Sequence, residues 1–316
     1  MRDRVCKGRE MLFAHEREFR VRSYECDAYG HANNATYLMW MQEVDLDALA
    51  NAGEDLGMRL AGGGRISWRE VDIEYLQPLR HGDTFVLKTW LEGIEGGVLR
   101  RVYEFRRKGP DETVAMASSD SVLLEGASGR PCSLPAGLAA ASLPAAHRGT
   151  TLRARRFPPP PPPPVGVFRM RRKVMWQEID PSRQVNVATL LGYATDCGME
   201  VSAAHRWPEA RMMEHGFGII SRRHHILCGQ AAMMSDELEI STWAYAPTRA
   251  TCMRTYVISR PRDDAMVMQL ISLYVWVDMA TRQPVRIPAQ LLADFAPNIV
   301  GLETKKTGGT IEGGRQ

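Results

Sequence analysis

The chain repeats itself. Displaced by 153 residues, segment 19–141 falls onto 172–294 without a gap. Glu25 meets Glu178, Asp27 meets Asp180, Asn33 meets Asn186, and Ala35-Thr36 meets Ala188-Thr189. Thr89-Trp90 meets Thr242-Trp243, Arg101 meets Arg254, Tyr103 meets Tyr256, and Pro131 and Pro135 meet Pro284 and Pro288. More than about two dozen identities align this way, against roughly seven expected by chance. Each copy is too long for a solenoid unit, so the chain is a tandem of two domain-sized halves.

The sequence places the first domain at 12–141 and the second at 167–297. Between them, 142–166 is basic and proline-rich. Its seven consecutive prolines at 158–164 form a stiff polyproline strut of about 22 Å, long enough to lead one copy to the next across a protein face. The basic stretch 148–156 reads as solvated linker, with steering of phosphates or an acidic carrier as the alternative. The tail 298–316 is expected to be disordered.

Composition excludes several classes. With 44% hydrophobic and 24% charged residues, wholesale disorder is ruled out. A net charge of +3 gives no ground for a nucleic-acid partner. No uncharged apolar run approaches the roughly 18 residues of a membrane helix, and the first ten residues are too charged for a signal peptide. The six cysteines are scattered without a CxxC pair, which argues against a zinc site or disulfide framework and for a reducing cytoplasm.

Within the first copy, 18–24 reads as a strand, 25–34 as a polar knot and 35–52 as a helix. Strands follow at 66–75, 84–91, 98–107 and 114–124. The second copy repeats this with a strand at 173–177, a helix at 186–205, and strands at 219–227, 238–244, 251–259 and 267–277. This is an α+β arrangement. Tyr37, Leu38, Met39, Trp40 and Met41 are apolar in succession, so more than one helix face is buried and the sheet must curl around it. Edge-to-edge pairing of the copies would extend the sheet and protect its edges.

The knot holds the candidate chemistry. Asp27, His31, Asn33 and Asn34 sit where a helix begins and its first N–H groups lack partners. A carbonyl placed there is polarised and its oxyanion stabilised, while a nearby carboxylate attacks it or activates water. The same residue types also serve as plain turn and cap formers. One His with one Asp is no metal site. Adjacent His224 and His225 point to opposite faces of a strand and read as structural, and Cys26 should likewise face away from Asp27.

Residues 27–38, Asp-Ala-Tyr-Gly-His-Ala-Asn-Asn-Ala-Thr-Tyr-Leu, resemble the segment opening the central helix of hot-dog-fold thioesterases. They are similar to the 4-hydroxybenzoyl-CoA thioesterase type and to plant acyl-carrier-protein thioesterases. Residues 73–79 resemble the next family strand, and Arg130-Pro131 with Leu134-Pro135 the closing element. The resemblance implies two tandem hot-dog domains, each a curled antiparallel sheet around a long helix. It implies hydrolysis of an acyl-CoA or acyl-carrier-protein thioester without metal or other cofactor, nucleic acid or membrane, and homo-oligomers of the double unit. By this resemblance Asp27 is base or nucleophile, the amide near Asn34 receives the thioester oxygen, and His31 and Asn33 orient water. Tyr37, Trp40 and Trp68, with Met39 and Met41, are the candidate pocket liners.

The chain departs from the plant pattern. Tyr29 replaces Asn, and Pro78-Leu79 replaces an acidic residue and Cys. In the second copy Asp180 and Asn186 persist, but Gly30-His31 has become Arg183-Gln184 and Asn34 has become Val187, so that site is expected to have degenerated. Glu43 and Asp196, matched on the two helices, are candidate supports. Two rivals are a non-catalytic acyl-thioester-binding protein and a hot-dog hydratase or dehydratase, although the latter's Asp and His motif with Asn-Pro is missing.

Overall fold

The structure, a computed structural model, describes residues 14–51, 64–110, 112–125, 129–132 and 157–301. The basic stretch 148–156 and the tail beyond 301 lie outside the described residues. The first copy contributes β1 (His15–Arg20), α1 (Asn34–Ala50), β2 (Arg65–Tyr75), β3 (Thr84–Glu95), β4 (Val98–Arg107) and β5 (Glu112–Leu124). In the second copy β6 (Phe168–Lys173) is followed by α2 (Val187–Ala204) and α3 (Glu209–Glu214). Then come β7 (Phe217–Cys228), β8 (Glu237–Tyr245), β9 (Thr251–Arg260), β10 (Ala265–Asp278), α4 (Ala289–Phe295) and β11 (Ile299–Val300).

Each long helix is capped by the asparagine that the repeat preserves. Asn33 accepts from the Ala35 N–H at 2.9 Å and Asn186 from the Thr189 N–H at 2.8 Å, which satisfies an orphan donor of the first turn. Helix α1 buries Tyr37, Leu38, Trp40, Met41, Val44, Asp45, Ala48 and Leu49, more than one face, as its apolar run requires. Strand β3 answers with alternate buried and half-buried positions, the period of a sheet facing a core on one side.

The two sheets are one. Strand order runs β1-β3-β4-β5-β2-β7-β10-β9-β8-β11, with β6 also paired to β8. The copies join through antiparallel β2 and β7, where Asp72 stands opposite His225, its own counterpart in the repeat. That register is a pseudo-twofold axis. Complementary charges mark it. Arg223 binds Asp72 through Nε at 2.7 Å and Nη2 at 2.6 Å, both side chains buried, while His225 Nε2 meets Glu70 at 3.0 Å and Arg222 meets Glu74 at 3.1 Å.

The strut follows the back of the second copy's sheet. Phe157 packs on Tyr245, Met253 and Ile271, the Arg223 guanidinium lies 4.6 Å from its ring centroid, and Trp243 donates its indole N–H to the Pro161 carbonyl at 3.0 Å.

Three boundaries differ from the sequence expectation. The first strands of the copies lie earlier, at His15–Arg20 and Phe168–Lys173, because a 3-10 turn intervenes at Ser23–Glu25 and Trp176–Glu178. Glu25 and Glu178 hold these turns by accepting from the backbone N–H three residues earlier. The second domain also runs past 297. Asn298 is fully buried, donates to the Thr242 carbonyl at 2.9 Å, and leads into β11 alongside β8.

Removing Asp72 would leave Arg223 buried without this counter-ion. The variant D72A is expected to lose about 3–5 kcal/mol of stability in urea unfolding, whereas D72L with R223M should recover most of that loss.

Candidate active site

The polar knot folds as a tight loop around one carboxylate oxygen. Asp27 Oδ1 accepts from the Tyr29 N–H at 2.9 Å and the His31 N–H at 3.3 Å, and its backbone carbonyl accepts from Gly30 at 2.9 Å. Gly30 takes φ +72°, a left-handed conformation that costs glycine little. The second oxygen, Oδ2, has no partner among the described residues. The loop therefore fixes the carboxylate without using all of it.

Helix α1 begins immediately after. The Asn33 side chain satisfies Ala35, and the Asn33 carbonyl accepts from Thr36, which leaves the Asn34 N–H without an acceptor among the described residues. Tyr75 on β2 donates its hydroxyl to the Asn34 carbonyl at 3.3 Å, pinning the helix start to the sheet. Asp27, His31, Asn34, Tyr37 and Tyr75 all line one cavity of about 710 Å³. The second copy supplies the facing walls with Gly198 and Ser202 of α2, Ser221 of β7, Arg254 and Tyr256 of β9, and Phe295 of α4, while Arg80 and Arg107 add to the first copy's side.

His31 is held neutral. Its Nε2 lies 3.0 Å from Arg80 Nη2, which can only donate, so the ring proton sits on Nδ1. Burial depresses its pKa below the ordinary histidine value, repulsion by Arg80 adds to this, and Asp27 opposes it. On the far side of the helix start, Asn34 Nδ2 lies 3.5 Å from Nε2 of His224, whose Nδ1 bonds Ser272 at 2.8 Å. His224 is completely buried, which brings its pKa down to about 3. Donation by Asn34 to a neutral His224, and by His224 to Ser272, gives both ring nitrogens a partner.

Comparison with known proteins follows the repeat. The thioesterase-like superfamily matches residues 21–142, and the acyl-ACP thioesterase N-terminal domain matches residues 166–295. In Bacillus subtilis, the "Putative acyl-CoA thioesterase YneP" is 31% identical over 110 residues, 34% of this chain and 75% of that protein. This chain belongs to the thioesterase-like superfamily. Acyl-acyl carrier protein thioesterase ATL2, chloroplastic, of Arabidopsis thaliana is 35% identical over 114 residues, 35% of this chain. That match spans 59% of the plant protein's length. The structure of the 12:0-ACP thioesterase from Umbellularia californica superposes with a TM-score of 0.63 at 14% identity, covering 83% of this chain and 94% of that one. The shared architecture is the double hot-dog, α+β, with each curled sheet wrapped around a long helix.

In this thioesterase-superfamily chain the cavity collects some of the expected residues and not others. Asp27, His31, Asn34 and Tyr37 line it; Asn33 does not, because its side chain is spent capping α1. Trp40 is buried against Phe19, Phe85 and Tyr37 and donates to Glu25 at 3.2 Å, and Trp68 is buried donating to Asp45 at 3.1 Å. Neither tryptophan touches the cavity, nor do exposed Met39 and core Met41. Glu43 and Asp196 are exposed partners of Arg17 and Arg172, away from it.

The second copy keeps the loop but carries Gln184 and Val187 in the places of His31 and Asn34. Asp180 Oδ1 accepts from Ser182 and Gln184 as Asp27 does from Tyr29 and His31, and Arg183 takes the left-handed position of Gly30 at φ +64°. Asp180 and Asn186 lie outside the cavity, and Asn186 is a cap. Sequence reasoning missed Tyr75, Arg80 and Arg254. Arg254 carried a signal, its match to Arg101 in the repeat.

Unfolding takes up a proton at His224 throughout the window between about 3 and the ordinary histidine value, because the folded ring refuses it. Stability should therefore fall as pH drops through that window, by up to about 1.4 kcal/mol per unit. H224Q should show a shallower slope in urea titrations from pH 7 to pH 4; an unchanged slope would refute the assignment.

Proposed function

We propose that this protein hydrolyses an acyl thioester of phosphopantetheine at the cavity lined by Asp27 and the start of α1. The observation that carries the reading is the presence, on one wall, of a carboxylate with a free oxygen and a helix-start N–H without an acceptor. The thioester carbonyl lies against the Asn34 N–H, which polarises it and receives the oxyanion. Asp27 takes a proton from water as the water oxygen bonds the carbonyl carbon, or attacks that carbon itself. Collapse of the oxyanion breaks the C–S bond, and the thiolate, hydrogen-bonded by His31 Nδ1–H, leaves with the proton that Asp27 took from water; where Asp27 attacks instead, water then hydrolyses the acyl-aspartyl anhydride and supplies that proton. The resulting acid retains the water oxygen.

Arg80, Arg107, Arg222 and Arg282 also line the cavity and would face the phosphate of the pantetheine arm. That phosphate is common to acyl-CoA and acyl carrier protein, the two carriers after which the relatives are named. Assay of both with the same acyl group assigns the carrier.

D27N preserves the Oδ1 acceptor that holds the loop and removes the charge. It is expected to lower kcat about 10²–10⁴-fold, with unchanged thermal unfolding, when thiol release from acyl-CoA and acyl-carrier-protein panels is followed. Binding without turnover in the wild type would favour the non-catalytic reading. The acid limb of kcat/KM should lie below the ordinary histidine pKa, since burial, and then repulsion by Arg80, disfavours protonated His31. In R80Q that limb should move to higher pH; movement to lower pH would contradict the assignment.

A further inference from the structure

The two copies differ most inside. In the first, Asp45 of α1 is fully enclosed, accepting from the Tyr103 hydroxyl at 2.8 Å and Trp68 Nε1 at 3.1 Å, with Arg101 Nε at 3.6 Å. The residues 153 positions on are Gly198 for Asp45, Ser221 for Trp68, Arg254 for Arg101 and Tyr256 for Tyr103. The cation and the phenol persist, while the two side chains that fill the space have shrunk. All four of these second-copy residues line the cavity. At Gly198 a Cβ would come within 2.7 Å of the Tyr256 hydroxyl, so glycine is what admits that phenol. The first copy is closed by its own polar cluster and the second is hollow.

This exchange leaves Arg254 without a carboxylate partner among the described residues. Its Nη1 donates to Asn298 Oδ1 at 2.9 Å and Thr242 Oγ1 at 3.3 Å, both neutral. Among the described residues no carboxylate forms an ion pair with it, whereas Arg101 faces Asp45. On the same cavity, Trp276 buries its indole N–H without an acceptor among the described residues. A guanidinium on a cavity wall beside apolar Leu291 and Phe295 calls for a carboxylate from outside the chain.

We propose that the chamber accepts acyl groups ending in a carboxylate, and that Arg254 is the specificity-determining residue that binds it, in the role Asp45 plays toward Arg101. The proposal rests on the thioesterase reading of the Asp27 site. Tyr75, at the Asn34 carbonyl, and Arg254 are separated by the strand sequence β2-β7-β10-β9, three interstrand spacings or about 14 Å. A thioester at the helix start and a carboxylate at Arg254 therefore belong to one chain of intermediate length.

The test compares adipoyl- through sebacoyl-CoA with monocarboxylic acyl-CoA of matched length. It measures kcat/KM on the wild type, R254L and R254K, and Kd by calorimetry on D27N. The wild type should prefer the carboxylated member about ten- to a hundredfold at one length. R254L should lose that preference, and R254K should keep part of it. Turnover of both series without preference, or a preference that survives in R254L, overturns the assignment and leaves the hydrolytic reading standing. If neither series is hydrolysed, as CoA esters or on acyl carrier protein, the hydrolytic reading falls and the Kd comparison alone decides Arg254, equal affinities refuting it.

Discussion

Everything in this protein depends on the antiparallel pairing of β2 with β7. Alone, a hot-dog half would leave its β2 or β7 edge open, and an open edge invites association. Here each copy closes the other's edge. An acidic strand carrying Glu70, Asp72 and Glu74 lies against a basic one carrying Arg222, Arg223 and His225, which rewards this register and penalises slippage. The Asp72–Arg223 pair is buried, so its worth lies in specifying alignment more than in net stability. The pairing also delivers Tyr75 and His224 to the start of α1, and so assembles a site whose loop comes from one half and whose chamber comes from the other.

Duplication removed the need for the halves to be alike. The first copy kept the Asp27 loop, with His31 and Asn34, and packed its interior with Asp45, Trp68, Arg101 and Tyr103. The second kept the geometry of the loop at Asp180, even placing Arg183 in a left-handed conformation that costs a non-glycine residue about a kilocalorie. There the helix opens on Val187, and the cavity wall carries Gly198 of that helix and Ser221 of β7.

Much of this was legible in the sequence. The constant displacement between copies gave the tandem architecture, and the Asp27–Tyr37 segment gave the loop and the helix start. Asn33 was legible as a polar residue at the helix start, but its use was not: whether an asparagine caps or faces a pocket depends on one side-chain torsion. Trp40 and Trp68 read as pocket liners because they are large and apolar, yet each indole N–H found a carboxylate, Glu25 or Asp45, and turned inward to it. Arg254 was visible only as a repeated residue. Its meaning comes from a difference at Gly198, on an element far away in the chain. The early ends of β1 and β6 were hidden because Glu25 and Glu178 fold a turn into segments that alternate like strands.

The proline strut along the sheet, anchored by Trp243 and Phe157, makes the meeting of β2 and β7 an event within one molecule. Two separate hot-dog subunits come apart on dilution, because their contact competes with translational freedom. A tethered pair sees a local concentration set by linker geometry. The site shared between the halves is therefore as complete in a sparse solution as in a crowded one.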